Sequence, residues 1–296
     1  MKNKQLIEFF KKAYMDDEKS FKSVNTSITF SEKKFEKELE AFIALFFSTF
    51  STNDIIDYST ARRYIDRETL QSLKSLSDDK KWAKPKYREF LDSILKKVRV
   101  SRIEYMQANC ISKFEYMITN VYDKIMINFI ENTRTNILED VEFLSEGDLG
   151  ITDEQLNSLS KEIANMKTPY GSPRMQVEAI RNSYYQFIDT FIPQAFARKL
   201  TKEQILNEIR KNSVKIKNRL HTLVKSMGNY QFNYVLKYVM NQLGIDSYEF
   251  CAILDDVTST ICKELNGQIF KVSQAQVGVN YPPMHPNCRS FVIPII

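Results

Sequence analysis

Apolar residues recur at helical spacing along most of the chain up to Leu243. Over residues 35–50, aromatic and aliphatic side chains return every three or four positions, which predicts an amphipathic helix that begins near Ser31. A stripe with the same spacing covers residues 103–125, inside a stretch (86–146) without Gly or Pro. Because both residue types break helices, this stretch predicts one long helix or a helical hairpin in a bundle.

Shorter helices are predicted at three other places. Residues 3–16 form the first, and residues 152–167 form the second, with Thr152 as its N-cap. The third runs over residues 173–190 and is expected to be interrupted by Pro193, because proline lacks the N–H that a helix interior uses.

Two stretches have the composition of linkers, residues 147–150 and residues 168–173. We place the domain boundary at the second, which divides the chain into a helical region (1–167) and a C-terminal domain (168–296). Residues 52–79 are polar and broken, which predicts short helices joined by loops.

A last long helix is predicted to begin at Thr201, where Thr201 and Gln204 have the spacing of a capping box. Gly228 is expected to break this helix before it resumes towards Leu243. Gly244 then suits the left-handed conformation that ends many helices.

Beyond this helix the pattern changes to a period of two, which is typical of strands. Three candidate strands cover residues 249–254, 268–272 and 291–295, and Asn266-Gly267 resembles a tight turn in a hairpin. The predicted fold is therefore α+β and predominantly α-helical. It has a long-helix N-terminal half and a C-terminal domain whose helices pack on a small antiparallel sheet.

The composition is that of a folded protein, since 43% of the 296 residues are hydrophobic and 12% are aromatic. The apolar run over residues 41–47 is far shorter than the roughly 20 residues that span a bilayer, so no membrane anchor is expected. The N-terminus lacks the uninterrupted apolar stretch of a signal peptide. We therefore expect a soluble protein that is made and kept in a cytoplasm.

Positive charge is concentrated in residues 198–225, which carry nine Lys or Arg and two Glu, whereas the whole chain has a net charge of +5. Five of these cations lie mostly off the apolar face of the predicted helix: Arg210, Lys211, Lys215, Lys217 and Arg219. Such a face suits non-specific contact with the phosphates of double-stranded DNA. The alternative is a solvated basic face without a partner.

The end of the chain concentrates the residues with distinctive chemistry, in the order DDVTSTICKELNG, then YPPMHPNCRS, then a final apolar segment. This arrangement resembles the C-terminal signature of the phage head-morphogenesis family, the Mu F-like minor head proteins. The matching residues in this chain are Asp255, Asp256, Thr258, Cys262, Leu265, Gly267, Pro282, Pro283, His285, Pro286, Asn287, Cys288 and Arg289. The resemblance is strongest over roughly the last fifty residues.

The resemblance implies a structural minor head (minor capsid) protein that acts in procapsid assembly at the portal. Its expected partners are the portal protein, capsid or scaffolding proteins, and packaged DNA. Its expected location is the capsid interior near the portal, with residues 1–167 as the partner-binding region. Two alternatives remain open, a stand-alone DNA-binding protein and a toxin-associated Mu F-like protein. Ser259 and Ser290 stand where many relatives carry cysteine.

Four residues form a candidate set of ligands for one structural zinc ion: Cys251, Cys262, His285 and Cys288. Three cysteines and a histidine are a common closed zinc site, and the short spacing of the last two suits a ligand pair. The separation of the first two cysteines is longer than usual, so the alternative is that the cysteines pack and His285 bonds a turn. Cys110 falls on an apolar stripe and is expected to be an interior thiol.

No catalytic residues are predicted. The chain carries two histidines, His221 and His285, and lacks the nucleophile, phosphate-loop and metalloprotease motifs. A cysteine nucleophile at Cys288 remains an alternative because Arg289 follows it. Asp255 and Asp256 are expected to cap the turn that leads to Cys262, with cation binding as the alternative.

Overall fold

The computed structural model describes residues 3–75, 89–90, 92–94, 96–145 and 151–296, and these residues are mostly helical. Their helices are α1 (Asn3–Phe50), α2 (Tyr58–Ala61), α3 (Arg67–Ser75), α4 (Arg102–Ser145), α5 (Asp153–Asn165), α6 (Pro173–Ala197), α7 (Lys202–Gln242) and α8 (Thr260–Leu265). Their strands are β1 (Ser247–Cys251), β2 (Ile269–Lys271) and β3 (Phe291–Ile295). The predicted α+β class with a predominance of helix is confirmed. None of the described helices is long and apolar enough to cross a membrane.

Helix α1 is continuous, so the prediction of two separate helices in this region was wrong. The polar stretch between them still places a buried side chain every three or four residues, at Phe21, Val24 and Ile28. Because the apolar stripe is not interrupted and no Gly or Pro intervenes, the helix continues through the polar residues.

Helix α4 contains the long apolar stripe, and it is one helix rather than a hairpin. It begins at Arg102, later than the sequence indicated, after a non-helical segment over residues 96–101. The predicted short helices appear as α2 and α3, whereas residues 76–79 and the linker over residues 147–150 lie outside the described residues.

Helix α6 continues through Pro193, which corrects the predicted interruption. A proline in a helix leaves the carbonyl oxygen four residues earlier without its usual donor. That oxygen belongs to Asp189, and it accepts a hydrogen bond from Gln107 Nε2 at 3.3 Å. A side chain from α4 therefore replaces the missing backbone donor.

The predicted capping box at Thr201 and the predicted N-cap at Thr152 are both present, and the second is also a capping box. Thr152 and Gln155 exchange side-chain and backbone hydrogen bonds at the start of α5, and Thr201 and Gln204 do the same before α7. Helix α7 is not broken at Gly228, which corrects the prediction, and the ring of Phe21 occupies the space where a Cβ atom would stand. This glycine permits close packing and does not end the helix.

The sheet is antiparallel with the order β2-β1-β3. Its apolar residues pack on α7, as predicted: Tyr248, Val292 and Ile293 share a core with Phe232, Leu236 and Met240 of that helix. Gly267 has a positive φ of 80°, but it follows α8 and is not the turn of a β-hairpin. Gly244 has the predicted left-handed conformation, with φ 68°.

The chain divides into two compact units that are discontinuous in sequence. Unit 1 comprises residues 1–26, 123–176 and 220–296, and unit 2 comprises residues 27–122 and 177–219. The predicted boundary after residue 167 falls inside unit 1, because the structure joins segments that are far apart in the chain. The division into a partner-binding region and a C-terminal domain stays a prediction about function.

Unit 2 has an aromatic interior. The rings of Phe114 and Tyr184 stack with centroids 4.0 Å apart, and Phe35 meets Phe114 edge-on at 6.1 Å. Beside them lies a buried ion pair between Arg181 and Glu115, with a nitrogen–oxygen distance of 3.1 Å. The candidate chemistry of the C-terminal signature lies in unit 1.

Candidate metal centre

Three of the side chains that the sequence singled out converge in unit 1: Cys262, His285 and Cys288. The two sulfur atoms lie 3.8 Å apart, and Cys262 Sγ lies 3.5 Å from His285 Nε2. All three ligand atoms lie within 4.8 Å of one another, and both cysteines are buried. The three side chains can hold a metal ion.

Helix α8 positions the first of these ligands. Ser259 is its N-cap, in an extended conformation, and the Ser259 side chain accepts a hydrogen bond from the backbone N–H of Cys262. An N-cap of this kind satisfies one of the free donors in the first helical turn. Cys262 therefore stands in the first turn of a short helix whose start is defined by Ser259.

The other two ligands lie in the loop before β3. The backbone N–H of Cys288 donates to the carbonyl of His285 at 3.1 Å, which closes a turn around Pro286 and Asn287. Asn287 adopts a φ of 60°, a left-handed conformation that asparagine tolerates better than most residues. This turn brings His285 and Cys288 to the same side of the loop.

Polar residues of α7 hold this loop in place. Ser226 Oγ accepts from the N–H of Asn287 at 3.0 Å, and Asn229 Nδ2 donates to the carbonyl of Ser290 at 2.8 Å. The hydroxyl of Tyr281 donates to the carbonyl of Asn233 at 2.6 Å. Sequence reasoning missed these α7 residues, although polar residues at helical spacing on an otherwise apolar face were the available signal.

The tautomer of His285 follows from its neighbours. Its Nδ1 atom lies 2.9 Å from the carbonyl oxygen of Pro286, which can only accept a hydrogen bond. Nδ1 therefore carries the proton, and Nε2 presents its lone pair to the two cysteines. Metal-binding histidines are commonly oriented in this way by a carbonyl or carboxylate on the second ring nitrogen.

The two thiols share a proton unequally. A hydrogen bond from Cys288 lowers the pKa of Cys262 to about 5, and the same contact together with burial raises the pKa of Cys288. The Cys288 sulfur also accepts from the backbone N–H of Ser290 at 3.5 Å. The thiolate is the form that binds metals, and the lowered pKa of Cys262 favours that form.

Cys251, the fourth predicted ligand, does not join the cluster. It lies on β1, where successive side chains point to opposite faces of the sheet. Phe250 packs against Cys262 and Cys288, whereas the half-buried Cys251 packs against a different core. Burial raises the pKa of the Cys251 thiol to about 11. The strand geometry thus separates Cys251 from the other three residues.

The two serines noted in the sequence both lie at the cluster. Ser259 Oγ is 2.9 Å from His285 Nε2, and the backbone of Ser290 contacts the Cys288 sulfur. The Ser259 side chain also hydrogen-bonds Cys262, and the Ser290 side chain hydrogen-bonds both cysteines, so these described hydroxyl groups lie next to the sulfur and nitrogen ligands.

Asp255 caps the turn before α8, as predicted. Its carboxylate accepts from the N–H of Val257 at 3.1 Å and from the hydroxyl of Thr258 at 3.0 Å. It also pairs with Arg289, and this hydrogen bond is the main reason that the pKa of Asp255 is lowered. Asp256 belongs to no described group of three or more metal-binding side chains.

The predicted DNA-binding residues of α7 lie in unit 2, away from the cluster residues in the chain. Within the described part of the chain, three of them form ion pairs: Arg210 with Glu203 at 3.1 Å, Lys211 with Glu208 at 2.6 Å, and Lys217 with Glu32 at 3.3 Å. Lys215 and Arg219 are exposed and make no ion pair with a described residue. The unpaired positive charge is therefore smaller than the sequence indicated.

The remaining thiol, Cys110, is completely buried in unit 2, in agreement with the prediction of an interior residue. Burial raises its pKa to about 12.

Comparison with known proteins gives one result. A family model described as Phage Mu protein F like protein matches residues 186–293, a segment that includes the whole Cys–His–Cys cluster. A search of curated proteins and a search of solved structures each gave no match. Residues 186–293 are thus similar to the Phage Mu protein F like family, and the resemblance found in the sequence is confirmed at the C-terminal end of the chain.

Proposed function

We propose that this chain is a phage minor head protein with a structural and non-enzymatic role in procapsid assembly at the portal. The observation that carries the proposal is the match of residues 186–293 to the Mu F-like family. The geometry supports it, because the C-terminal signature forms a compact site in which a helix, a loop and a strand meet. Such a site stabilises a local structure that partner proteins can recognise.

The helical region over residues 1–167 is proposed to bind the portal protein and capsid or scaffolding proteins inside the virion. Helix α1 offers exposed apolar side chains for such contacts, since Phe30 is 68% and Leu45 is 64% exposed. Long amphipathic helices commonly dock on other helical proteins through residues of this type.

The metal that the cluster is proposed to hold is one structural zinc ion. A tetrahedral zinc ion, at about 2.3 Å from sulfur and about 2.0 Å from nitrogen, places two sulfurs about 3.8 Å apart and a sulfur and a nitrogen about 3.5 Å apart. The observed separations are 3.8 Å and 3.5 Å. Zinc would cross-link α8 to the loop before β3.

Contact with packaged DNA is proposed to be weak and non-specific. Lys215 and Arg219 are the predicted residues that keep their charge exposed without an ion pair to a described residue. The contact would supply electrostatic affinity without reading sequence, because it is directed at phosphates.

Quantitative mass spectrometry of purified, nuclease-treated particles tests the main proposal. We expect the protein in virions and in heads that lack DNA, at a copy number far below that of the major capsid protein. Absence from both particles would overturn the proposal and leave the two alternatives, a stand-alone DNA-binding protein and a toxin-associated protein. A protein found only in DNA-filled heads would instead point to entry with the DNA.

A further inference from the structure

The Cys–His–Cys cluster supplies three of the four ligands of a tetrahedral metal ion, and one coordination position is left for a fourth ligand. The Ser259 hydroxyl oxygen lies 2.9 Å from His285 Nε2, on the nitrogen that faces the cysteines. We propose that Ser259 Oγ is the fourth ligand, which gives the metal two sulfurs, one nitrogen and one oxygen. The inference rests on the proposed zinc site and identifies a ligand that the predicted set did not contain.

The position of Ser259 is set by the helix that also carries Cys262. As the N-cap of α8, Ser259 precedes Cys262 by three residues, and its side chain faces the N–H of Cys262. Ligand pairs separated by two residues are the common short spacing of structural zinc sites. Ser259 and Cys262 therefore form the first pair of ligands, and His285 and Cys288 form the second.

The competing side chains are placed differently. Cys251 is on β1 and packs with the core that includes α1, outside the Cys–His–Cys group. Ser290 contacts the sulfur ligands instead: its backbone N–H donates to the Cys288 sulfur at 3.5 Å, and its side chain hydrogen-bonds both cysteines, as a supporting donor does. Ser259 is the described hydroxyl that contacts the histidine nitrogen.

The donor set also balances charge. Two thiolates neutralise the +2 charge of the metal, while a serine hydroxyl and a neutral imidazole add none. If a third thiolate replaced the hydroxyl, the metal site would carry a net negative charge, and the fourth ligand would be softer than the hydroxyl. We therefore expect the serine site to bind zinc less tightly, and to exchange it faster, than a site with three cysteines and one histidine.

Cobalt(II) titration of the reduced, full-length protein tests the assignment, because cobalt occupies zinc sites and its absorption reports the number of sulfur ligands. Ser259→Cys is expected to raise the sulfur-to-cobalt charge-transfer intensity by about half, since three sulfur ligands replace two. Ser259→Ala is expected to weaken cobalt binding about tenfold. Cys251→Ser is the matched control, and it should bind cobalt with unchanged affinity and spectrum. Circular dichroism confirms that each variant is folded.

The outcomes separate the two proposals. Cobalt bound by the wild type, with no change in either Ser259 variant, would overturn the role of Ser259 and leave the three-residue metal site intact. If the folded wild type binds neither cobalt nor zinc, the metal site and its fourth ligand are both wrong. If Cys251→Ser no longer binds cobalt, Cys251 is the fourth ligand instead of Ser259.

Discussion

The sulfur atoms of Cys262 and Cys288 lie 3.8 Å apart, although the two residues are 26 positions apart in the chain. This separation is too long for a disulfide bond, whose sulfurs lie about 2.0 Å apart, and it matches that of two sulfur ligands on one zinc ion. The contact joins α8 to the loop before β3 and is the basis of the first prediction.

We expect one zinc ion per chain in protein purified under reducing conditions, measured by elemental analysis. Cys288→Ser should lose the metal, and removal of zinc by a chelator should lower the Tm, because binding energy at a structural site contributes to folding. Cys251→Ser is the matched control and should retain zinc. Folded wild-type protein without metal would contradict the prediction.

Gly228→Ala is expected to destabilise unit 1, although alanine favours helices over glycine by about 1 kcal/mol. A Cβ atom at position 228 would lie 2.6 Å from Cε1 of the Phe21 ring. Overpacking of this kind costs about 1–3 kcal/mol, measurable by urea denaturation.

The double variant Phe21→Ala, Gly228→Ala tests the cause, because removal of the ring removes the clash and the two effects should not add. Asn218→Ala, at an exposed position of the same helix, is the control and should change stability little. If Gly228→Ala lowers the free energy of unfolding equally with and without the Phe21 ring, the clash with the ring is not the cause of the destabilisation.

Arg181→Met is expected to destabilise unit 2 by about 3–5 kcal/mol, because it leaves the buried Glu115 carboxylate without its cation. The side chains of Arg181 and Glu115 are 2% and 0% exposed, so water cannot replace the lost partner. Lys211→Met breaks an exposed pair with Glu208 and should have little effect in the same denaturation experiment. If the two variants lose similar amounts of unfolding free energy, burial of the ion pair does not determine its contribution to stability.

Stability is expected to fall as the pH rises from about 4 to about 7. Burial raises the pKa of Asp17 to about 7 and raises that of the neighbouring Asp140 as well. In this window the folded protein keeps protons that the unfolded chain has released, so the free energy of unfolding decreases with pH. For Asp17 the total change is roughly 4 kcal/mol, and it is complete above its folded-state pKa.

Asp17→Asn should reduce this pH dependence and leave a smaller slope from Asp140, in thermal denaturation at a series of pH values. Asp16→Asn is the matched control at the adjacent exposed position. The pKa of Asp16 is lowered by Lys19, so its contribution lies below pH 4 and has the opposite sign. A Tm that rises between pH 5 and pH 7 would exclude the proposed protonation of the buried pair.

Binding to double-stranded DNA is expected to weaken with salt, with a slope of log K against log[salt] of about −2. Two of the five predicted cations make no ion pair with a described residue, and each phosphate contact contributes about −0.9. The double variant Lys215→Ala, Arg219→Ala should remove most of this dependence. Lys211→Ala, at a paired position, should change it little. Affinity that is independent of salt would contradict the proposed contact, and a slope near −4.5 would mean that all five predicted residues bind phosphates.

Local rules were sufficient for much of the fold. The N-cap at Thr152, the capping box at Thr201 and the left-handed Gly244 depend on neighbours within a few residues, so the sequence predicted them correctly. The apolar stripe of α4 was predicted because it repeats the period of a helix, and the strand over residues 291–295 was predicted from a short apolar run.

The errors concern residues whose local preference is overridden by contacts with distant parts of the chain. Pro193 is accommodated because Gln107 donates a hydrogen bond to the carbonyl oxygen that the proline leaves free. Gly228 lies inside a continuous helix, and the Phe21 ring packs where a Cβ atom at this position would stand. The two compact units are also assembled from separate segments, and no local pattern marks such an arrangement.

The sequence by itself determined the predominance of helix, the small C-terminal sheet, the Mu F-like signature and four metal-binding candidates. Only the tertiary structure decided that Cys251 lies apart from the other three candidates and that Ser259 lies beside His285. The spacing of residues along the chain indicates which side chains could be metal ligands. The alternation of side chains on β1 and the turn at Asn287 determine which of them come together.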